Sequence, residues 1–147
     1  MVRVVVVLAF ALFAPLLAAE AQQASKQVKI GVLSQGFPDS APGLPLLQPL
    51  RALGWVEGQN FVLDSRFDMG KRDQLPGLAA ELVGRNVDVI FARGTPAALA
   101  AKAATQTIPI VMIFAADPVR SRLVASLARP GGNITGLSIL AARGESW

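Results

Sequence analysis

The stretch Val87–Phe114, VDVIFARGTPAALAAKAATQTIPIVMIF, decides the fold. Val87–Ala92 (VDVIFA) is a short apolar run rich in branched and aromatic residues, the composition of a strand buried on both faces. Gly94-Thr95-Pro96 punctuates it. Thr95–Ala104 (TPAALAAKAA) then reads as an Ala-rich helix, with Thr placed to cap it and Pro suited to its first position. Ile108–Phe114 (IPIVMIF) is the most apolar strand segment, with Pro109 near its start. Strand, helix and strand joined by short links make a parallel unit, whose crossover is expected to be right-handed.

Working outward, the same alternation continues. Val28–Leu33 (VKIGVL) predicts a first strand, and Ser34–Pro45 a loop dense in Gly, Pro, Ser and Asp. Leu46, Leu47, Leu50 and Leu53 recur at helical spacing and end at Gly54. Pro49 inside that pattern requires the helix to be short or kinked. Trp55–Asn60 is a turn. Phe61–Phe67 (FVLDSRF) alternates apolar and polar residues, as a half-exposed strand near a sheet edge does. Asp73 is placed to cap a helix reaching about Gly84, with Leu75, Leu78, Ala79, Leu82 and Val83 on one face. Val119–Ala128 predicts a fourth helix, and Asn133–Ser138 a fifth strand after the Pro130-Gly131-Gly132 turn. The expected fold class is α/β: a doubly wound parallel sheet of about five strands, with helices on both faces.

Residues 1–21 read as a targeting segment. Arg3 supplies a basic start, Val4–Ala19 an uncharged apolar run, and Ala19-Glu20-Ala21 a small-residue cleavage site. The run contains Pro15 and falls short of the about 20 residues a spanning helix needs. Cleavage is expected after Ala21, with export to the periplasm; an uncleaved anchor is the alternative.

Composition removes several classes of chemistry. The 147 residues contain no Cys and no His. There is no disulfide framework, no thiol nucleophile, no lipid-anchoring cysteine after the apolar run, and no imidazole to act as base or metal ligand. The net charge is +4, but the basic residues are scattered. Arg120, Arg122 and Arg129 are the densest group and have no aromatics among them, so they read as a solvated face rather than a nucleic-acid surface. No G-x-G-x-x-G follows the first strand and no P-loop lysine occurs, so no cofactor is expected.

In an open parallel sheet, ligands lie beyond the carboxyl ends of the strands. The loops after Leu33, Ala92 and Phe114 are therefore the candidates. Thr95-Pro96 and Asp117-Pro118 repeat one helix-starting device. A helix N-terminus offers free N–H groups and the positive end of its dipole to a carboxylate or phosphate. Gly94, Thr95 and Ala97 thus form a candidate carboxylate cradle. Ser34 and Gln35 follow the first strand, and Ala115 to Asp117 the fourth; Asp117 could pair with an ammonium group. The residues alone leave ordinary capping open beside a ligand role. Arg93 could meet an anion, although a place on the rim is the preferred reading. Trp55, after a helix-ending glycine, is expected to pack rather than to bind.

Read together, these segments resemble the exported substrate-binding proteins of ABC transporters, in the branch that includes tryptophan and tyrosine binders. The resemblance rests on Ile30–Ser34, Leu53–Asn60 (LGWVEGQN), Asp73–Val83, Val87–Ile90, Gly94–Lys102, Thr107–Val111, Asp117–Val119 and Leu123–Ser138. It covers nearly all of residues 28–138. It implies one lobe of a type I periplasmic-binding fold over 22–138. It also implies a cleft facing the loops of Ser34, Thr95 and Asp117, a small amino-acid-like ligand, an ABC permease as partner, and no enzymatic chemistry. Pro42, Pro45 and Pro49 in the first helical segment, and Arg120-Ser121-Arg122 at the fourth, depart from the family pattern. So does the tail 139–147, which sets up the expectation of a truncated chain with weakened binding. A stand-alone exported single-lobe binding module is the alternative.

Overall fold

The computed structural model describes residues 26–38 and 46–139. The export segment, Pro42, Pro45 and residues 140–147 lie outside the described residues. The elements run β1 (Val28–Ser34), α1 (Leu47–Ala52), β2 (Phe61–Phe67), a 3-10 turn (Arg72–Gln74), α2 (Leu75–Gly84), β3 (Val89–Arg93), α3 (Thr95–Ala104), β4 (Ile110–Ala116) and β5 (Ile134–Ile139). The five strands form one sheet in the order β2-β1-β3-β4-β5, with every neighbouring pair parallel. This is the expected α/β class, with β2 at an edge as its alternation predicts.

Two apolar layers sandwich the sheet. Leu75, Ala79 and Leu82 of α2 and Ala97, Ala98, Ala100 and Ala101 of α3 pack with Leu33, Ile90, Ala92, Ile110, Met112 and Ala115. On the opposite face, Ile30, Val32, Phe61, Phe91 and Ile113 meet Leu46, Leu47, Leu50 and Trp55. The division follows from handedness. Moving from β1 out to β2 and then back across to β3 reverses direction, so right-handed connections place α1 on one face and α2 and α3 on the other. Gly31 lets α2 approach closely: a Cβ there would stand 3.2 Å from Val87 Cγ2 and 3.3 Å from Leu82 Cδ1. The short α1 covers only part of its face. Beside it lies an apolar groove of 680 Å³ lined among others by Leu50, Leu53, Phe91, Val111, Leu137 and Ile139.

The Pro49 conflict resolves as a short helix. Pro49 is the third residue of α1, where an N–H would have no intrahelical acceptor, so nothing is lost. The helix ends in a Schellman motif: Gly54 N donates to Arg51 O (3.0 Å) and Trp55 N to Leu50 O (2.9 Å), with Gly54 at φ 83°. That motif aims Trp55 inward, where it meets Phe61 edge-to-face with centroids 6.3 Å apart. The packing role expected of Trp55 is the one it has.

Several expectations need correction. Asp73 makes no cap; it lies in the 3-10 turn, and Gln74 precedes α2 with no side-chain cap bond. β3 starts at Val89 rather than Val87, because Asp88 turns its carboxylate to the Lys29 N–H (2.8 Å). β4 starts at Ile110, just after Pro109, which has no N–H to give the ladder. The fourth helix over Val119–Ala128 does not form. The chain makes one turn after Asp117, and Arg122 at φ 58° then breaks the helical path. Leu123 and Val124 fold into the core, both donating from N–H to Pro118 O. Lys102 Nζ donates to the Arg122 and Leu123 carbonyls, satisfying acceptors that a helix would have satisfied itself.

Two outcomes follow from this packing. Leu82→Ala, at a fully buried site, is expected to cost about 2–5 kcal/mol in urea unfolding, while Leu137→Ala, 74 % exposed, should stay within about 0.5 kcal/mol. The Lys29 N–H holds the Asp88 carboxyl below its ordinary 3.8. A carboxyl whose folded pKa is lowered stabilises the fold fully above its unfolded pKa and loses that contribution as pH falls through the folded value. Asp88→Asn should therefore flatten the acid limb of a stability-against-pH curve below about pH 4.

Candidate functional site

The carboxyl ends of β1, β3 and β4 meet at one edge of the sheet, and the loops that follow them are tied together by side chains. Asp68, just after β2 and 1 % exposed, uses Oδ1 to accept the N–H groups of Gly36 (2.7 Å) and Gly70 (3.0 Å). Its own N–H donates to Ser34 O (3.2 Å). The loop after β1 is thus anchored to the loop after β2. Sequence reading missed Asp68, which stands in a stretch that looks like a polar loop. Its partner Gly36 lies far from it along the chain, and nothing local marks the pairing.

β4 carries an irregularity that shapes this edge. Its pairing with β5 shifts register between Ile113 and Ala115, and Phe114 sits at φ 54°. An extra residue reverses the in-out alternation. Ala115 is thereby turned into the α3 face and fully buried, while Phe114 stands 48 % exposed. Its ring lies under the Arg93 guanidinium, 5.9 Å from Cζ to the centroid. Gln35, Arg93, Gly94 and Phe114 line a cavity of 310 Å³. Gly94 fits there because it has no side chain and sits at φ 87°; a Cβ would lie 2.9 Å from Gln35 Oε1. Gln35 Nε2 is buried in this cluster without an acceptor among the described residues.

The anticipated residues divide into those the structure brings together and those it does not. Gln35 and Gly94 line the cavity. Gly94 is also the N-cap of α3, so the N–H groups of the first turn, Thr95 and Ala97 among them, have no acceptor within the helix. Thr95 is not the cap: its Oγ1 accepts the Ala116 N–H (3.0 Å) and ties the end of β4 to the start of α3. Ala97 is buried under that turn. Ser34 is buried too, its hydroxyl donating to Gln35 O (3.2 Å), so it supports the loop from below. Asp117 is exposed at φ 38° and caps a single turn, Oδ1 accepting the Arg120 N–H (3.0 Å) and its carbonyl the Ser121 N–H (3.0 Å). Asp117 does not line the cavity, whereas Arg93 and Phe114, outside the anticipated set, do. Their signal in the sequence is thin: an arginine before Gly-Thr-Pro and an aromatic at the end of an apolar run. Among the described residues no group of acidic side chains could hold a metal ion.

This lobe matches known proteins along most of its length. The family model for ABC transporter substrate binding proteins matches residues 43–143. A tyrosine-binding protein of Clostridioides difficile is 37 % identical over 92 residues, which are 63 % of this chain and 27 % of that protein. A conserved domain protein of Vibrio cholerae superposes with a TM-score of 0.73 at 38 % identity, over 78 % of this chain and 40 % of the other. An ABC domain of Streptococcus pneumoniae, solved in complex with L-Trp, superposes with a TM-score of 0.70 at 30 % identity, over 77 % of this chain and 39 % of the other. The chain spans well under half the length of these relatives.

The anchoring bonds make measurable demands. Asp68→Ala leaves the Gly36 and Gly70 N–H groups without their acceptor and should cost about 1–3 kcal/mol. Hydrogen exchange should speed up at those two amides while α2 and α3 stay protected. Gly94→Ala forces an alanine into an extended positive-φ conformation (φ 87°, ψ 157°) that is essentially glycine's own, at about 1–3 kcal/mol, and displaces Gln35. A shifted Gln35 side-chain amide resonance would report that displacement.

Proposed function

The chain belongs to the ABC transporter substrate-binding protein family, and we propose that it is an exported solute-binding component that captures a small amino-acid-like ligand and passes it to an ABC permease. The family is one of solute-binding proteins, so the work is capture rather than catalysis. The observation that carries the reading is the cavity at the start of α3. A glycine with no side chain, free backbone N–H groups and an acceptor-less Gln35 amide converge there at the carboxyl ends of the strands. Such an arrangement favours a carboxylate.

The residues divide the task. Gln35 and the Thr95 N–H at the start of α3 take the carboxylate; the Gly94 N–H already donates to Ile113 O (2.9 Å), so Gly94 contributes by leaving room, and Ala97 lies beneath the turn. Ser34 and Ala115 shape the floor from beneath, and Asp117 stands outside the cavity lining with its carboxylate on the Arg120 N–H. Names of relatives support the ligand class: one is a tyrosine-binding protein, and another was solved with L-Trp. Periplasmic location rests on the basic start, apolar run and Ala-x-Ala site of residues 1–21. Among the described residues no helix is long and apolar enough to cross a membrane.

Titration of the isotope-labelled chain with L-tyrosine and L-tryptophan checks the reading. Amide shifts are expected at Gly94, Thr95 and Ala97, with much smaller shifts for the methyl esters, which lack the carboxylate. Esters that bind as well as the free acids, or shifts confined to the apolar groove beside α1, would sink it.

A further inference from the structure

The groups lining the 310 Å³ cavity are unevenly matched in charge. Arg93 has no carboxylate partner among the described residues; the ion pairs there belong to Lys26, Arg66 and Arg85. The guanidinium rests instead on the Phe114 ring. Gln35 Nε2 adds a second donor with nothing to accept it. The nearby acids are engaged elsewhere: Asp68 Oδ1 holds Gly36 and Gly70, Asp117 Oδ1 holds Arg120, and neither lines the cavity. The lining therefore presents positive charge, an amide donor and an aromatic face. It presents no negative charge.

An anion answers the first two features and a ring answers the third. A guanidinium offers paired N–H donors whose geometry matches a carboxylate, and an aromatic ring prefers another ring offset over its face or edge. Phe114, held out at the bulge and 48 % exposed, has surface to offer such a ring. The cavity volume falls in the range of small-molecule sites. We propose that this lobe selects an aromatic carboxylate, with Arg93 and Gln35 Nε2 binding the carboxylate and Phe114 stacking on the ring, and that it reads the ligand as an anion without engaging an ammonium group. The proposal rests on the placement of the ligand at this strand edge and names its chemistry. Arg93 and Phe114 are then the residues that set specificity, ahead of the loop residues the helix start supplies.

Four small probes separate the terms: phenylacetate (ring and anion), L-phenylalanine (ring and zwitterion), phenethylamine (ring and cation) and acetate (anion alone). Each is titrated into the full chain, into Arg93→Gln and into Phe114→Leu, with amide spectra checking that each variant is folded. Phenylacetate is expected to bind at least as tightly as L-phenylalanine, acetate about tenfold more weakly, and phenethylamine not at all. Arg93→Gln should weaken phenylacetate about 10- to 100-fold, as loss of a charge-assisted hydrogen bond does. Phe114→Leu should weaken it about 2- to 10-fold and leave acetate unchanged. Phenethylamine binding as tightly as phenylacetate overturns the proposal, as does an Arg93→Gln variant of undiminished affinity. If L-phenylalanine shifts Gly94, Thr95 and Ala97 equally in the wild type and in Arg93→Gln, the capture function stands and the Arg93 assignment falls. If none of the probes shifts those amides, both fall.

Discussion

A strand buried on both faces must send alternate side chains to opposite layers, and a single extra residue reverses that assignment for everything after it. β4 holds such a residue at Phe114. Before it, Ile110 and Met112 face α2 and α3 while Ile113 faces α1; after it, Ala115 faces the α3 side although strict alternation would send it the other way. The remaining features of this edge depend on that reversal. A small, buried Ala115 leaves room for the first turn of α3. Ala116 N can reach Thr95 Oγ1. β5 pairs on past the shift, and Phe114 is left outside, beside Arg93.

The edge is stiffened by a few hydrogen bonds that each join segments distant in the chain. Asp68 fastens the loop after β1, and Thr95 fastens the end of β4. Asn133 Nδ2 donates to Thr105 O (3.2 Å) and Ile108 O (2.7 Å), holding the start of β5 to the loop before β4. A buried backbone group without a partner is costly, so these side chains do for the loops what the ladder does for the strands. The effect is that the residues around the cavity are held in place by the fold itself.

Legibility from sequence followed how local each feature is. β2 was readable to its ends because alternation over Phe61–Phe67 is contained within the strand itself. α1 was readable as short or kinked, because proline and glycine act on their own turns, and the structure chose the short helix. The fourth helix misled because Val119–Ala128 has apolar spacing, yet its Leu123 and Val124 are claimed by the core and its carbonyls by Lys102, all outside the segment. The site followed the same division. Gly94 and Gln35 were found by a general rule about strand ends. Thr95 was located correctly but bonds across to β4 instead of capping its own helix. Phe114 was passed over and Arg93 was read as a rim residue, because only pairing between β3 and β4 brings them together.

By itself the sequence determined the α/β class, the alternation of elements and the edge of the sheet where the candidate residues Gln35 and Gly94 meet, because composition, period and turn residues act within a few positions of the chain. The resemblance carried by its motifs pointed to the family that the residue match then established. Only the tertiary structure decided the phase of β4, the bonding of Thr95 and Asp68, and the pairing of Arg93 with Phe114. Each of those is a contact between segments that meet in space because both faces of the sheet must be covered, a constraint that belongs to the whole fold and to no single stretch of it.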